Sequence, residues 1–354
     1  MLSLIKLSPI VLCLLLVCPL LVQSGRYGCF TPINAIPGCV CASIFSTVDF
    51  TYKTTLTCSG IPPAITIVQL KENLNKLNGY DIDDLIINNF PLSSLPGDVF
   101  DEKTIIRRII INNSPKLEAF GSKDNSFFSK IATNVESIII ANSPNIQREQ
   151  WLKLSEALAG GGGVDDGTRK STRAGGRLRD LVIYKNINFD VDNLADFEKV
   201  APTIERLILK GTGITKITPD LTSFSALRYL DISETPNLKT FELKVELPVT
   251  LHTINLKGTS IAYFEKDSHK NLGKALFVDI TGSNKLDCNC DKIGTENINV
   301  EAFIKRFDGA KCGIPSQLVN QPYGTICLEK NRQSFYTKQL GYKPLSMLAK
   351  FINN

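Results

Sequence analysis

Apolar positions recur in a single pattern along most of this chain. The pattern L-x-x-L-x-L occurs eight times, and its middle positions are separated by 24, 29, 43, 26, 23, 24 and 24 residues. The eight matches are Ile82-Leu85-Ile87, Ile106-Ile109-Ile111, Val135-Ile138-Ile140, Leu178-Leu181-Ile183, Ile204-Leu207-Leu209, Leu227-Leu230-Ile232, Leu251-Ile254-Leu256 and Ala275-Val278-Ile280. Residues two apart share one side of a strand, and each unit is too short to bury that side alone. We therefore expect a solenoid of stacked units.

A second apolar pair follows the strand in several units, where the chain turns away. The clearest pairs are Leu92 with Leu95, Ile214 with Ile217 and Ile261 with Phe264. We expect these pairs to close the back of each coil, because a stacked coil needs apolar side chains on both of its inner walls.

The long spacing of 43 residues contains a glycine-rich insertion over residues 160–176. It has almost no apolar side chains, so it cannot offset its own ordering entropy, and we predict a flexible loop. Its basic residues Arg169, Lys170 and Arg173 allow a docking or processing role. A tolerated insertion, or an artefact of the gene model, explains the same residues without any function.

The repeats resemble the leucine-rich repeat family, whose motif is L-x-x-L-x-L-x-x-N-x-L-x-x-L. The resemblance implies an α/β solenoid with a curved parallel β-sheet on its concave side. The chain departs from the motif at the inward Asn, where it has Phe90, Ser114, Ser143, Asn186, Thr212, Thr235, Thr259 and Ser283. Hydroxyl groups offer fewer hydrogen bonds than an amide, so we expect them to replace it only in part.

The first 24 residues have the features of a secretory signal peptide. They carry one charge, Lys6, then an apolar run from Val11 to Val22 and a small residue, Ser24. A membrane anchor is the alternative, although the run is short for a spanning helix. The domains that we predict are a signal peptide (1–24), an N-terminal cysteine cap (25–81), repeats (82–283), a C-terminal cysteine cap (284–330) and a tail (331–354). We expect a secreted, extracellular protein without a stable membrane anchor.

Eight cysteines remain after the signal peptide, in two groups of four at the ends of the repeats. An even number in a secreted chain favours disulfides, while the C-x-C spacing argues against the alternative of zinc sites. Both groups are similar to the caps of extracellular leucine-rich repeat proteins. That resemblance implies the pairs Cys29 with Cys41, Cys39 with Cys58, Cys288 with Cys312 and Cys290 with Cys327.

Neither the charge nor the motifs of the chain point to catalysis. The 40 basic and 35 acidic side chains are spread without long blocks, so nucleic acid is not indicated as a partner. The two histidines, His252 and His269, have no accompanying constellation, and no phosphate-binding loop, metalloprotease motif or calcium loop is present. We therefore predict no enzyme activity, no cofactor and no metal.

The predicted concave face is the candidate binding surface. The residues between the last two apolar positions of the repeats are Ile86, Ile110, Ile139, Val182, Ile208, Asp231, Asn255 and Asp279, which suggests an apolar half and a polar half. The flanking positions add Arg108, Tyr184, Arg206, Lys210, Tyr229 and Phe277. We assign protein binding to the five apolar residues with Tyr184, Arg206 and Tyr229. The alternative is that β-branched residues simply suit strands.

The sequence also predicts a glycosylation site and a function. Asn112-Asn113-Ser114 is an N-glycosylation acceptor at a position that we expect to face the concave side, with Pro115 directly after it. The function that we expect is non-enzymatic binding of a protein partner, either an extracellular receptor or a matrix protein. The alternative is an accessory subunit of a secreted enzyme, because the short repeats and cysteine caps resemble secreted arthropod proteins similar to the non-catalytic subunit of a shrimp luciferase.

Overall fold

The structure is a computed structural model of the chain, and its secondary structure consists mainly of short strands. The residues it describes are 36–47, 51–121, 126–160, 177–217, 221–241, 247–264, 275–283, 285–288, 310–314, 316–323 and 326. The strands of its largest sheet are β1 (Cys39–Ser46), β2 (Thr51–Cys58), β3 (Asp81–Asn88), β4 (Ile105–Asn112), β5 (Ser137–Ala141), β6 (Asp180–Tyr184), β7 (Arg206–Ile208), β9 (Tyr229–Asp231), β11 (Thr253–Asn255) and β13 (Phe277–Asp279).

Shorter strands and helices connect and back this sheet. The remaining strands are β8 (Lys216–Ile217), β10 (Thr240–Phe241), β12 (Tyr263–Phe264), β14 (Leu286–Asp287) and β15 (Cys312–Ile314). The α-helices are α1 (Ile67–Leu74), α2 (Arg148–Gly160) and α3 (Val191–Asp196). Single 3-10 turns occur at Asn75–Leu77, Ala132–Asn134, Phe197–Lys199, Ala201–Thr203, Leu221–Ser223 and Ser316–Leu318.

The main sheet confirms the predicted solenoid. Its strands are ordered β1-β2-β3-β4-β5-β6-β7-β9-β11-β13, with β1 antiparallel to β2 and all later neighbours parallel. The middle residues of successive triplets are direct register partners, from Leu85 with Ile109 onward. Every side chain of the eight triplets is at most 3% exposed. The chain therefore folds as a leucine-rich repeat solenoid in which each strand contributes one rung of a shared core.

The back of the solenoid contains a second, smaller sheet and a row of buried rings. Strands β12, β10 and β8 pair in parallel, and the predicted closing residues Ile214, Ile217 and Ile261 are fully buried. In helix α2, Trp151 is also fully buried, with ring centroids 5.6 Å from Phe120 and 5.2 Å from Phe189. This helix was not predicted, and it fills the longer unit that precedes the insertion.

The turn after each strand of the repeats has a residue in the left-handed region. The residues are Asn89, Asn113, Asn142, Lys185, Gly211, Glu234, Gly258 and Gly282, with φ between 49° and 75°. Each N–H from Asn89 to Gly258 donates to a carbonyl of the next unit, as from Lys185 to Lys210 at 2.9 Å. Gly and Asn tolerate this conformation readily, whereas Lys185 and Glu234 adopt it at a steric cost. The stacked turns thus impose one backbone geometry on all eight units.

Hydroxyl groups take over part of the role of the missing asparagines. Ser114 Oγ accepts the N–H of Phe90 at 3.1 Å, and Ser143 Oγ accepts the N–H of Ser114 at 3.3 Å. Asn186 makes two bonds, donating from Nδ2 to the Ser143 carbonyl at 2.7 Å and accepting the Asn188 N–H at Oδ1 at 3.1 Å. Because these side chains are buried, the bonds satisfy main-chain groups that water cannot reach.

Disulfides lie near both ends of the described chain. Cys39–Cys58 joins directly opposed residues of β1 and β2, and Cys288–Cys312 joins the last repeat region to β15. Cys41 is disulfide-bonded as well. The two described bonds match the pairs implied by the family resemblance. Cys29, Cys290 and Cys327 lie outside the described residues, as do the predicted signal peptide, residues 161–176 of the insertion, His269 and the tail.

Candidate protein-binding face

The five apolar residues assigned to binding lie in one row across the sheet. Register pairs run from Ile86 to Ile110, Ile139, Val182 and Ile208 in succession, across β3 to β7. All five are partly exposed, while the residues before and after each of them in the strand are buried. We call these five residues the apolar row. Its side chains point away from the core, as the strand phase predicted.

The polar continuation of this row has a structural role. Asp231, Asn255 and Asp279 follow Ile208 in register. The Oδ1 atom of each accepts the N–H two residues later, at 2.8, 3.0 and 2.9 Å respectively. Such Asp and Asn turns follow β9, β11 and β13, which have three residues each, as does β7. The predicted polar half of a binding face is thus explained by local turn chemistry.

Tyr229 and Arg206 belong to a network around Asp231. The Tyr229 hydroxyl donates to Asp231 Oδ2 at 3.2 Å, and Asn255 Nδ2 donates to the same oxygen at 3.0 Å. Burial, together with the charge of Asp231, raises the pKa of Tyr229 above its ordinary value. Arg206 lies 6.0 Å from the Tyr229 ring centroid and 3.9 Å from an oxygen of Asp180. These two predicted binding residues are therefore already engaged within the chain.

Two rows that contain charged residues flank the apolar row on the side where the strands begin. The inner row consists of Asp84, Arg108, Ser137, Asp180 and Arg206. In the inner row Arg108 forms a two-pronged pair with Asp84 at 2.6 and 2.7 Å, which raises the pKa of Arg108. The charges of the outer row alternate strictly in sign along Asp83, Arg107, Glu136, Arg179, Glu205 and Arg228. From Glu136 onward, the N–H of each member donates a hydrogen bond to the carbonyl of the member before it. Sequence reasoning named Arg108 and Arg206 of the inner row but missed the outer row, although its alternation at one repeat position was a readable signal.

The charges of the outer row are paired along the solenoid. Arg107 lies 2.9 Å from Asp83, Arg179 lies 3.6 Å from Glu205, and Arg228 lies 3.9 Å from the second oxygen of Glu205. All of these pairs are partly solvent-exposed, so each contributes little to stability. Their main effect is on the electrostatic potential at the surface, because a row of charges that alternate in sign presents no net charge to an approaching molecule.

The opposite flank of the apolar row is polar, and it becomes cationic at Tyr184. Asn88, Asn112, Ala141 and Tyr184 are successive register partners, and Asn142 Nδ2 donates to Asn112 Oδ1 at 3.1 Å. Beyond them lies a shallow open cavity of about 500 Å³, lined by Asn89, Asn113, Pro115, Asn142, Pro144 and Lys185. Glycosylation at Asn112 stays a prediction; its side chain is partly exposed at the end of β4.

Tyr184 lies between two cations. Lys185 Nζ is 5.0 Å and Lys210 Nζ is 5.6 Å from its ring centroid, and Lys210 also pairs with Glu234 at 2.9 Å. The hydrogen bond to Glu234 raises the pKa of Lys210. The six predicted flanking residues therefore fall on two sides, with Tyr184 and Lys210 opposite Arg108, Arg206, Tyr229 and Phe277.

Chemically reactive groupings are not evident in the part of the chain that the structure describes. His252 is exposed and follows Arg228 in the outer row. Within the described ranges, no three His, Cys, Asp or Glu side chains come close enough to hold a metal ion. The described helices include none that is both long and apolar enough to cross a membrane.

Comparison with known proteins gives likenesses among solved structures. No protein-family model matches the chain, and no curated protein matches it. The chain is similar to the crystal structure of human 5T4, also named trophoblast glycoprotein and Wnt-activated inhibitory factor 1. The TM-score is 0.48 at 13% sequence identity, with 79% of this chain and 94% of that chain covered. The fold of this chain is established by its own repeat register and burial.

Proposed function

We propose that this chain is a secreted, non-enzymatic protein that binds another protein through the concave face between β3 and β7. The apolar row is the observation that carries the proposal. Five β-branched side chains stand in one line, partly exposed, although the strand positions beside them are fully buried. A contiguous apolar strip with polar borders is typical of a protein-binding surface.

The apolar row contributes to binding as a unit. Complete burial of a Val or Ile side chain is worth about 1.5 to 3 kcal/mol, and these side chains begin partly buried. Each therefore offers less than that range, and association itself costs several kcal/mol, so the row has to act together with the residues at its borders. The central member, Ile139, has an apolar register partner on both sides and is the expected hot spot.

The disulfides support an extracellular location. Cys39–Cys58 and Cys288–Cys312 form and persist in an oxidising compartment, which agrees with the signal-like features of residues 1–24. The partner is then an extracellular receptor or matrix protein. An enzyme as the captured partner would favour the alternative of an accessory subunit, and its activity with and without this chain would test that role.

A capture experiment with matched variants tests the proposal. The secreted wild-type chain, Ile139→Asp and Ile187→Asp are immobilised and exposed to proteins of the native extracellular fluid. Ile187 is 69% exposed and follows β6, so it makes a matched apolar-to-acid control away from the apolar row. We expect Ile139→Asp to weaken binding of the captured protein at least about tenfold, because a carboxylate loses its hydration in the contact.

The control decides how the result is interpreted. Ile187→Asp should bind like the wild type, and the emission of Trp151 should confirm that both variants are folded. A folded Ile139→Asp protein that captures the same partner with undiminished affinity would place the binding surface elsewhere and contradict the proposal.

A further inference from the structure

We propose that the part of the partner that contacts the apolar row is an uncharged apolar ridge of an α-helix lying along the solenoid axis. This inference rests on the proposed function and adds the chemistry and shape of the occupant. It follows from three features of the face, namely the spacing of the row, its charge and its two ends.

The spacing of the apolar row favours a helix. Adjacent rungs of a sheet are about 4.8 Å apart, so successive side chains of the row repeat at that distance. A helix brings a side chain back to the same face every turn, about 5.4 Å along its axis. An extended chain does so every second residue, about 6.8 Å. Over four intervals the mismatch is roughly 2.4 Å for a helix and roughly 8 Å for an extended chain.

The charge pattern favours an uncharged contact. Arg108 beside the row is neutralised by Asp84, and the outer row alternates in sign from Asp83 to Arg228. On this flank an acidic or a basic ridge would meet one charge of each sign at consecutive rungs and gain nothing on average. On the opposite flank Lys210 is already paired with Glu234, and Lys185 lies against the Tyr184 ring beyond the end of β6. The charged side chains of such a ridge would also lose their hydration against the apolar row. A neutral ridge avoids this cost, because its apolar side chains lose no charge hydration on docking.

The ends of the row set the length of the contact. Thr57 is the register partner before Ile86, and Asp231, which carries three hydrogen bonds to its carboxylate, follows Ile208. Both ends are therefore polar. The five rungs between them span about 19 Å, which corresponds to a helical segment of about 13 residues.

Two peptide libraries of identical composition distinguish the possible occupants. Both contain about 14 residues of Leu, Ala, Gln and Ser, which suits the length of the row. One places Leu every three or four residues, and the other places the same number of Leu residues at every second position of its central segment. Both are displayed against the full secreted chain and, in parallel, against Ile139→Asp and Ile187→Asp.

We expect the helix-patterned library to be enriched at least about tenfold over the strand-patterned one on the wild type and on Ile187→Asp, but not on Ile139→Asp. A selected peptide should gain helical circular dichroism on binding. Its affinity should change less than about threefold between about 50 and about 500 mM NaCl, because no net charge is matched.

The outcomes separate this inference from the proposed function. Preferential enrichment of the strand-patterned library, no enrichment of either, or a salt dependence above about tenfold would overturn the neutral helix. If the native partner still distinguishes Ile139→Asp from the wild type in that case, the proposed function stands without it. If the native partner binds Ile139→Asp as tightly as the wild type, both the proposed function and this inference are contradicted.

Discussion

Replacing Asn186 by Ala tests how the turns between repeats are held together. Asn186 is fully buried, and its amide serves two main-chain groups, the Ser143 carbonyl at 2.7 Å and the Asn188 N–H at 3.1 Å. Alanine removes both bonds and leaves the two groups without their partner. Each unsatisfied buried group costs about 1 to 3 kcal/mol, so with two such groups we expect the free energy of unfolding to fall by about 2 to 6 kcal/mol.

Denaturant unfolding followed by the fluorescence of Trp151 measures this change, since Trp151 is the one tryptophan of the chain and is fully buried. Asn186→Ser keeps a hydroxyl, as most other units do, and should lose about half as much. Ser225→Ala, at an exposed site, should stay within about 0.5 kcal/mol of the wild type. If Asn186→Ala also stays within that range, the amide does not hold adjacent units together and our explanation of the turn is wrong.

Three more predictions follow from burial and charge. Ile138→Asp should abolish secretion while Ile139→Asp is secreted, because only Ile138 is fully buried; the reverse result would mean that the strand phase is off by one residue. Asp231→Ala should lower the free energy of unfolding by about 1 to 3 kcal/mol in denaturant while partner affinity is kept, and a loss of affinity without destabilisation would refute its role as a turn residue. Burial, with a smaller contribution from the charge of Asp287, raises the pKa of Tyr323 far above its usual value. In the unfolded chain this tyrosine ionises at about pH 10, so the free energy of unfolding should fall as the pH rises above that value. Tyr323→Phe should weaken this fall.

The repeat register was predictable because its signal is periodic. The apolar triplets fixed both the stacking of the strands and the outward phase of the apolar row, since a pattern repeated eight times leaves little freedom for the strand positions. The left-handed turns had a comparable signal in Gly211, Gly258 and Gly282, which stand at one repeat position. Lys185 and Glu234 adopt the same conformation without any local preference, because the neighbouring turns impose it.

Other features could not be read from the apolar repeat pattern. Helix α2 lies in one unit alone, so the repeat pattern gave no indication of it, and its Trp151 packs against rings from the units on either side. The three polar residues that continue the apolar row looked like half of a binding face. Their bonds to the main chain became evident only in three dimensions, where the N–H two residues later meets each side chain.

Site-specific photo-crosslinking tests the central claim most directly. A photoreactive amino acid replaces Ile139 in the middle of the apolar row, and in a second variant it replaces Ile187, which is equally apolar but lies beyond the end of β6. With the native partner bound, irradiation should yield a covalent adduct from position 139 and none from position 187. Adducts from position 187 alone, in a protein that still binds the partner, would show that the apolar row is not the binding surface.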